Sequence, residues 1–236
     1  MEIEKDGSTY KINGESYTRV TNVVGQLFPG FNEEVQINKI LETKSEKYKD
    51  MTYEDIKQQW SNTRESAAQL GTELHDYIEF FLRGEPKKKP KTLRKECNQF
   101  HQFIENFCNE YPEFSSKVEY TIYDPRVKIA GTVDCLIYDG EKYHLYDWKR
   151  TKDLYSYYGK YGTHNITEKL TANNYHKYST QLAIYAKILR DNYDIDVGQR
   201  IYLVVFNAEK NSYERVQTRD LTENINKLFE ELASSH

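Results

Sequence analysis

Hydrophobic and polar residues alternate with two different periods along the chain, and the change of period predicts its organisation. From about residue 33 to residue 110, apolar positions recur every three or four residues, which predicts helices. From about residue 117 to residue 149 they alternate with period two, which predicts three successive strands. The predicted helices span residues 33–48, 53–82, 92–110 and 175–191, with another from residue 221, and the predicted strands span residues 117–123, 127–138, 143–149, 200–206 and about 212–217.

Turn and cap signals organise the first 30 residues. Asp6-Gly7 and Asn13-Gly14 are typical hairpin turns, so residues 1–20 are predicted to form small strands. Thr21 is a candidate N-cap for a short helix that ends near Phe28.

This order of elements predicts an α/β fold with a mixed central β-sheet flanked by helices and preceded by a helical N-terminal region. We divide the chain into residues 1–112, with small strands and helices, and residues 113–236, which carry the sheet. Both parts are expected to form one compact unit, because 236 residues suffice to bury a substantial core.

Composition narrows the possible environments of the protein. The net charge is −4, so the overall charge does not indicate a nucleic-acid partner. Lys and Arg nevertheless cluster within residues 83–95 and 149–160. Such clusters bind phosphate or are simply solvated loops. No apolar run approaches the ~20 residues of a membrane span, and the N-terminus lacks the apolar stretch of a signal peptide. We therefore expect an intracellular, soluble protein with no membrane partner.

The cysteines argue against two classes of metal site. Cys97, Cys108 and Cys135 lack the paired spacing of zinc or iron–sulfur ligands. Their odd number is typical of a reducing compartment.

Two carboxylates and a lysine on neighbouring predicted strands point to chemistry on phosphate. Strand alternation places Asp134 opposite the apolar face formed by residues 129–137, and it places Asp147 and Lys149 on one face, about 7 Å apart. A hairpin at Asp139-Gly140 would bring Asp134 close to Asp147. Two close carboxylates repel unless one is protonated or a cation lies between them, and such oxygen ligands suit Mg²⁺ or Mn²⁺. The alternative is a structural ion pair between Asp147 and Lys149.

Further candidate ligands lie on other elements. His75, on a predicted helix one turn after Gly71, could supply a nitrogen ligand, although an isolated helical histidine is more often structural. Glu119, on the first strand of the period-two region, is either a further metal carboxylate or an exposed strand residue.

Polar residues near the cluster could contact a substrate. Gln181 and Tyr185 lie four residues apart on a predicted helix and could hydrogen-bond a phosphate or a base. Arg150, Thr151 and Lys152 directly follow the cluster and are candidate nucleic-acid contacts. Tyr155, Tyr157 and Tyr158 could stack on bases, and a surface loop explains them equally well.

Taken in order, five short motifs resemble the PD-(D/E)XK nuclease superfamily, in particular its RecB-type branch, which includes mitochondrial genome maintenance exonucleases and phage or viral exonucleases. The motifs are Gly71-Thr72-x-x-His75, Glu119, Gly131-Thr132-Val133-Asp134, Asp147-Trp148-Lys149 and Gln181-x-x-x-Tyr185. The resemblance covers roughly residues 16–206. Tyr17-Thr18 stands where the relatives usually have Ser-Val, and the chain lacks the four cysteines of the iron–sulfur members.

The resemblance implies a fold, a site and an activity. It implies a restriction-endonuclease-like core in which His75, Asp134 and Asp147 bind the metal, with the Trp148 carbonyl as a further ligand. Lys149 would be the catalytic lysine, and Gln181 and Tyr185 would steady the substrate strand. In relatives of the mitochondrial type, N-terminal helices help to form a passage for single-stranded DNA, a role that residues 31–82 could take here.

We therefore expect a Mg²⁺- or Mn²⁺-dependent exonuclease that prefers single-stranded DNA ends and contains no iron–sulfur cluster. Any helicase or polymerase with which it acts in repair, recombination or replication would be a separate protein, since no Walker motif is present. Two alternatives stay open: a structure-specific or restriction-like endonuclease, and a nucleic-acid-binding module that has kept the fold and lost catalysis.

Overall fold

The computed structural model describes residues 3–6, 9–85, 87–157 and 159–234. In these residues the protein is an α/β structure in which helices flank a mixed sheet of eight strands, as predicted. The strands are β1 (Ile3–Asp6), β2 (Thr9–Ile12), β3 (Glu15–Arg19), β4 (Ser115–Asp124), β5 (Ile129–Tyr138), β6 (Tyr143–Arg150), β7 (Ile201–Phe206) and β8 (Glu214–Gln217). The helices are α1 (Val20–Leu27), α2 (Glu33–Glu42), α3 (Tyr53–Leu82), α4 (Arg94–Glu110), α5 (Asn174–Tyr193) and α6 (Thr222–Ala233).

The sheet forks along strand β5. Strand β4 pairs antiparallel with β5 along almost its whole length. On its other edge, β5 pairs in parallel with β3 at Ile129 and Ala130, and antiparallel with β6 from Cys135 to Tyr138. Beyond Tyr146, strand β6 leaves β5 and continues beside β7. The fork therefore opens next to Asp134.

Helices cover the two sides of the sheet and form two separate cores. The first core contains α1, α5 and α6, with Val20, Tyr185 and Phe229 among its buried residues. The second contains the long helix α3 and helix α4, whose stripe of Cys97, Phe100, Phe103 and Phe107 recurs every three or four residues. A smaller cluster of Tyr10, Ile12, Tyr17 and Ala130 joins the N-terminal strands to β5.

The periodic segments fold largely as their patterns predict. Helix α3 spans residues 53–82 as expected, and it begins at a capping box in which Thr52 and Asp55 bond each other's backbone and side chain. The predicted helix over residues 33–48 ends earlier, because α2 stops at Glu42 and only Glu46–Tyr48 turn again as a short 3₁₀ helix.

The N-terminal signals are partly confirmed. Asn13 and Gly14 both adopt positive φ, 50° and 85°, in the turn between β2 and β3. Thr21 is not the N-cap of α1, because the helix already begins at Val20 and Arg19 takes the cap position without a capping side chain. Gly7, in the other predicted turn, lies outside the described residues.

Simple alternation along β5 is wrong at Asp134. Ile129 and Val133 pack in the first core, whereas Cys135 and Ile137 pack in the second. The change of face occurs where Asp134 lies opposite Glu119, a residue with a φ of 49°. A left-handed residue in the partner strand distorts the local pleat, so the period of two does not continue through this point.

No helix within the described residues is long and apolar enough to cross a lipid bilayer.

Candidate active site

Helix α3 brings His75 to the fork in the sheet. The neighbouring Leu74 and Ile78 are fully buried in the second core, which fixes how the helix presents His75. His75 Nε2 lies 2.8 Å from the Trp148 carbonyl oxygen, and His75 Nδ1 lies 3.6 Å from Asp134 Oδ2. A carbonyl can only accept, so Nε2–H donates to it, and Nδ1 is the ring nitrogen that faces the Asp134 carboxylate.

Three potential ligands meet at this point. One atom each from His75, Glu119 and Asp134 lie within 4.8 Å of one another. Asp134 is further fixed by the backbone N–H of Trp148, which donates to Asp134 Oδ2 at 2.9 Å. Glu119, which was predicted as either a further metal carboxylate or an exposed strand residue, thus lies in the same group as the expected His75 and Asp134.

The environment of Glu119 disfavours its charged form. Burial and the neighbouring Asp134 carboxylate raise the pKa of Glu119 to about 7, although His75 and Lys5 act in the opposite direction. A cation placed among the three groups would offset this repulsion. The group therefore has the chemistry of a cation site.

Asp147 and Lys149 form a buried ion pair on strand β6. Asp147 is 1% exposed, and its Oδ2 lies 2.6 Å from Lys149 Nζ. Asp147 Oδ1 is buried and has no hydrogen-bond partner among the described residues. Burial and the Asp134 carboxylate raise the pKa of Asp147 to about 6, against the attraction of Lys149. For Lys149, burial favours the neutral amine, but attraction by Asp147 and Asp134 outweighs burial and raises its pKa.

Tyr178 is a site residue that we did not predict. Lys149 Nζ lies 4.8 Å from the centre of the Tyr178 ring, close enough for a cation–π contact. Tyr178 precedes Gln181 by three residues and Tyr185 by seven, so all three share one face of α5. That spacing is the signal by which the sequence could have revealed Tyr178.

Gln181 and Tyr185 contact each other behind the cluster. Gln181 Nε2 donates to Tyr185 Oη at 3.1 Å, and Tyr185 is only 3% exposed. A Cβ atom at Gly131 would lie 2.4 Å from Tyr185 Cε1, so the glycine permits α5 to approach strand β5 closely. Their predicted contact with substrate stays a prediction.

The three residues after Lys149 are already engaged within the chain. Arg150 Nε lies 2.9 Å from Oε1 of the buried Glu96, and Lys152 forms an ion pair with Glu209. The Thr151 hydroxyl donates to a backbone carbonyl two residues later, at 3.0 Å. A phosphate would have to compete with these partners.

A groove begins beside Tyr178. A cavity of about 270 Å³ is lined by Tyr178, Gln181 and Lys177, and a larger cavity of about 690 Å³ shares Lys177 with it. The larger cavity is also lined by Phe31, which is 67% exposed, and by Trp60, whose ring centre lies 5.7 Å from that of Phe31.

Two of the tyrosines predicted to stack on bases are exposed. Tyr155 is 54% exposed and Tyr157 is 50% exposed, and both lie in the irregular segment that follows β6. Tyr158 lies outside the described residues. Stacking on bases stays a prediction for all three.

Comparison with known proteins adds little to this geometry. No protein-family model and no curated protein matches the chain. The solved structure of SSO0001 shares 14% identity and a TM-score of 0.36, over 95% of this chain and 78% of that chain. A protein from Eubacterium rectale named "Putative exonuclease" shares 14% identity and a TM-score of 0.39, over 70% of this chain and 68% of that chain. Likeness at this level carries no functional inference, so the function rests on the site.

Proposed function

We propose that the protein is a divalent-metal-dependent nuclease that hydrolyses phosphodiester bonds in DNA, as an exonuclease that prefers single-stranded ends. The observation that carries the proposal is the fork in the sheet. There, His75, Glu119 and Asp134 converge next to the buried pair of Asp147 and Lys149.

The residues at the fork fit a hard divalent cation. They offer carboxylate oxygens and one imidazole nitrogen, and the orphaned Asp147 Oδ1 is a buried acceptor that lacks a donor among the described residues. The cation would be held by His75, Asp134 and Glu119, with Asp147 on the neighbouring strand. The Trp148 carbonyl oxygen already accepts a hydrogen bond from His75, so it would have to bind the cation through its second lone pair. When bound, Mg²⁺ or Mn²⁺ supplies Lewis acidity toward a phosphate oxygen and lowers the pKa of water.

Lys149 provides a positive charge at a fixed position in the site. Its ammonium is held between the Asp147 carboxylate and the ring of Tyr178. From there it can donate a hydrogen bond to the attacking water or to a phosphate oxygen on which negative charge develops. Because both partners of the ammonium are buried or half-buried, its position needs little adjustment when substrate binds.

The groove beside Tyr178 supports a single strand as substrate. Lys177 and Lys160 line the larger cavity together with the exposed ring of Phe31. Lysines that follow a backbone and an aromatic face for stacking are the two elements with which proteins bind unpaired strands. We propose that the strand passes along this groove, between α2 and α3 and the segment after β6.

The test compares Lys149→Ala with wild type on end-labelled single strands in Mg²⁺ or Mn²⁺. Lys142→Ala is the matched control, because Lys142 lies exposed in the turn that precedes β6. We expect wild type and the control to degrade the strand and Lys149→Ala to lose at least about a hundredfold in rate. Equal degradation by Lys149→Ala, or no degradation by wild type, would refute the catalytic proposal.

Two further measurements decide between the remaining alternatives. Cleavage of circular single strands would identify an endonuclease, because an exonuclease needs an end. Calorimetric titration of wild type and Asp134→Asn with Mn²⁺ tests the cation site without cleavage. A binding module that has lost catalysis would bind DNA without cutting it.

A further inference from the structure

Two cationic side chains share the ring of Tyr10 on the N-terminal strands. Lys5 and Tyr10 are direct cross-strand partners on β1 and β2, and Lys5 Nζ lies 6.0 Å from the centre of the Tyr10 ring. Arg19, the last residue of β3, places its Cζ atom 5.2 Å from the same ring centre. We refer to Lys5, Tyr10 and Arg19 together as the Tyr10 patch.

The Tyr10 patch borders the cluster at the fork. The Tyr10 hydroxyl lies 2.9 Å from Thr132 Oγ1, and Thr132 is two residues before Asp134 on β5. The Lys5 ammonium is near enough to act electrostatically on the Glu119 carboxyl. A strand whose phosphate lies at the cluster therefore passes close to the patch.

The Arg19 side chain carries one buried donor that has no acceptor among the described residues. This donor is the Nε atom, which is buried and makes no hydrogen bond to any described residue. Arg150 and Lys152, beside the same site, are by contrast each paired with a glutamate. A buried donor that lacks an acceptor is costly, which favours an acceptor supplied by a ligand.

The chemistry of the Tyr10 patch selects a phosphate group as that ligand. A guanidinium held over an aromatic ring can direct its two Nη groups at two oxygens of a phosphate. Lys5 adds a second positive charge on the same ring. Tyr10 is 5% exposed and fixed through Thr132, so the platform is rigid.

We propose that the Tyr10 patch binds a phosphate group of the substrate strand, with Arg19 as its main ligand. This inference rests on the proposed nuclease function. The phosphate belongs either to an internal phosphodiester or to a terminal monophosphate, and both present at least two non-bridging oxygens. Arg19 and Lys5 are thus binding residues that act beside the metal cluster.

The test measures binding in EDTA, where no cleavage occurs. Two 3′-fluorescein 12-mers of one sequence, with a 5′-phosphate or a 5′-hydroxyl, are titrated by anisotropy against wild type, Arg19→Gln, Lys5→Gln and Lys11→Gln. Lys11 is the matched control, since it neighbours Tyr10 on β2 and points to the other face of that strand. Arg19→Lys, which keeps the charge, and thermal unfolding of each variant show whether a loss reflects misfolding.

We expect Arg19→Gln to weaken binding about tenfold and Lys11→Gln to leave it unchanged. A loss confined to the 5′-phosphorylated strand identifies a terminal phosphate, and an equal loss for both strands identifies an internal one. Unchanged binding by a folded Arg19→Gln protein, or an equal loss in Lys11→Gln, overturns the inference.

The nuclease assay with wild type in Mg²⁺ separates this inference from the proposed function. Cleavage by wild type together with unaltered binding by Arg19→Gln refutes the Tyr10 patch alone. Arg19-dependent binding without cleavage refutes the nuclease function alone. No binding by wild type refutes the Tyr10 patch, and the cleavage assay then decides the nuclease function by itself.

Discussion

Replacing Glu119 with glutamine should stabilise the metal-free protein, and only at neutral and alkaline pH. Glu119 lies opposite Asp134 and is one of the three groups that converge at the fork. Glutamine has the size of glutamate and cannot ionise. Both residues would occupy the same left-handed backbone conformation, with a φ of 49°, so backbone strain is equal in the two proteins. The difference between the two proteins therefore isolates the charge.

The magnitude follows from the pKa of Glu119, which burial and Asp134 raise from 4.5 to about 7. Below pH 4.5 the group is protonated in both states and contributes nothing. Between pH 4.5 and 7 the unfolded chain releases its proton first, so the free energy of unfolding falls as pH rises and then levels off. One pKa unit corresponds to 1.36 kcal/mol, so the shift of Glu119 lowers the free energy of unfolding of wild type by at most about 3 kcal/mol. Partial solvent access to the carboxyl reduces the expected loss to about 1–2 kcal/mol.

The assay is urea unfolding in EDTA at pH 5 and pH 8 for wild type, Glu119→Gln and the control Glu113→Gln. Glu113 is exposed just before β4. We expect the free energy of unfolding of Glu119→Gln, taken relative to wild type, to be about 1–2 kcal/mol higher at pH 8 than at pH 5. For the control this difference should be the same at both pH values. Added Mg²⁺ should then stabilise wild type more than Glu119→Gln, because only wild type keeps all three ligands.

The reasoning fails if the difference in unfolding free energy between Glu119→Gln and wild type is the same at pH 5 and pH 8. Such a result would mean that the carboxylate is hydrated in the folded protein, and that Asp134 is too distant to repel it.

Three further predictions follow from single contacts. Tyr178→Leu should lower the rate of cleavage at least about tenfold while leaving KM nearly unchanged, and Tyr178→Phe should retain activity, because the ring and not the hydroxyl faces Lys149; equal loss in both variants would contradict this. Gly131→Ala should cost about 1–3 kcal/mol of stability in urea unfolding, because its methyl group would lie 2.4 Å from Tyr185 Cε1; an unchanged midpoint would show that α5 can shift. Burial raises the pKa of Asp139, but the hydrogen bond with His144 and those from two backbone N–H groups outweigh it and hold the pKa at about 2. Asp139→Asn should therefore lose stability relative to wild type above pH 4 and approach it near pH 2, as circular dichroism across an acid titration would show.

The sequence predicted those parts of the fold and site that depend on local pattern. Helix α3 follows its periodicity because it buries an apolar stripe, and strands β4 to β6 form where the period of two predicts strands. Asp147 and Lys149 share a face because they lie two apart on one strand. These predictions need no knowledge of the partner elements.

What the sequence did not reveal depends on contacts between distant segments. The fork at β5 arises because β3 and β6 pair with different halves of one edge, and nothing in the residues of β5 shows where one partner ends. The same holds for the change of face at Asp134, which coincides with the left-handed Glu119 on another strand. The Tyr10 patch likewise requires β1 to β3 to assemble first.

Trp148 uses its main chain and its side chain in different parts of the molecule. Its N–H and carbonyl bond Asp134 and His75, whereas its ring is 2% exposed and packs edge-on against Phe100 and Phe103 in the second core. The middle position of the Asp-x-Lys pattern therefore contributes only backbone atoms to the site, and its side chain is constrained by the hydrophobic neighbours on α4. Homologous sites should accept different large apolar residues at this position, provided that the residues opposite it on α4 change in compensation.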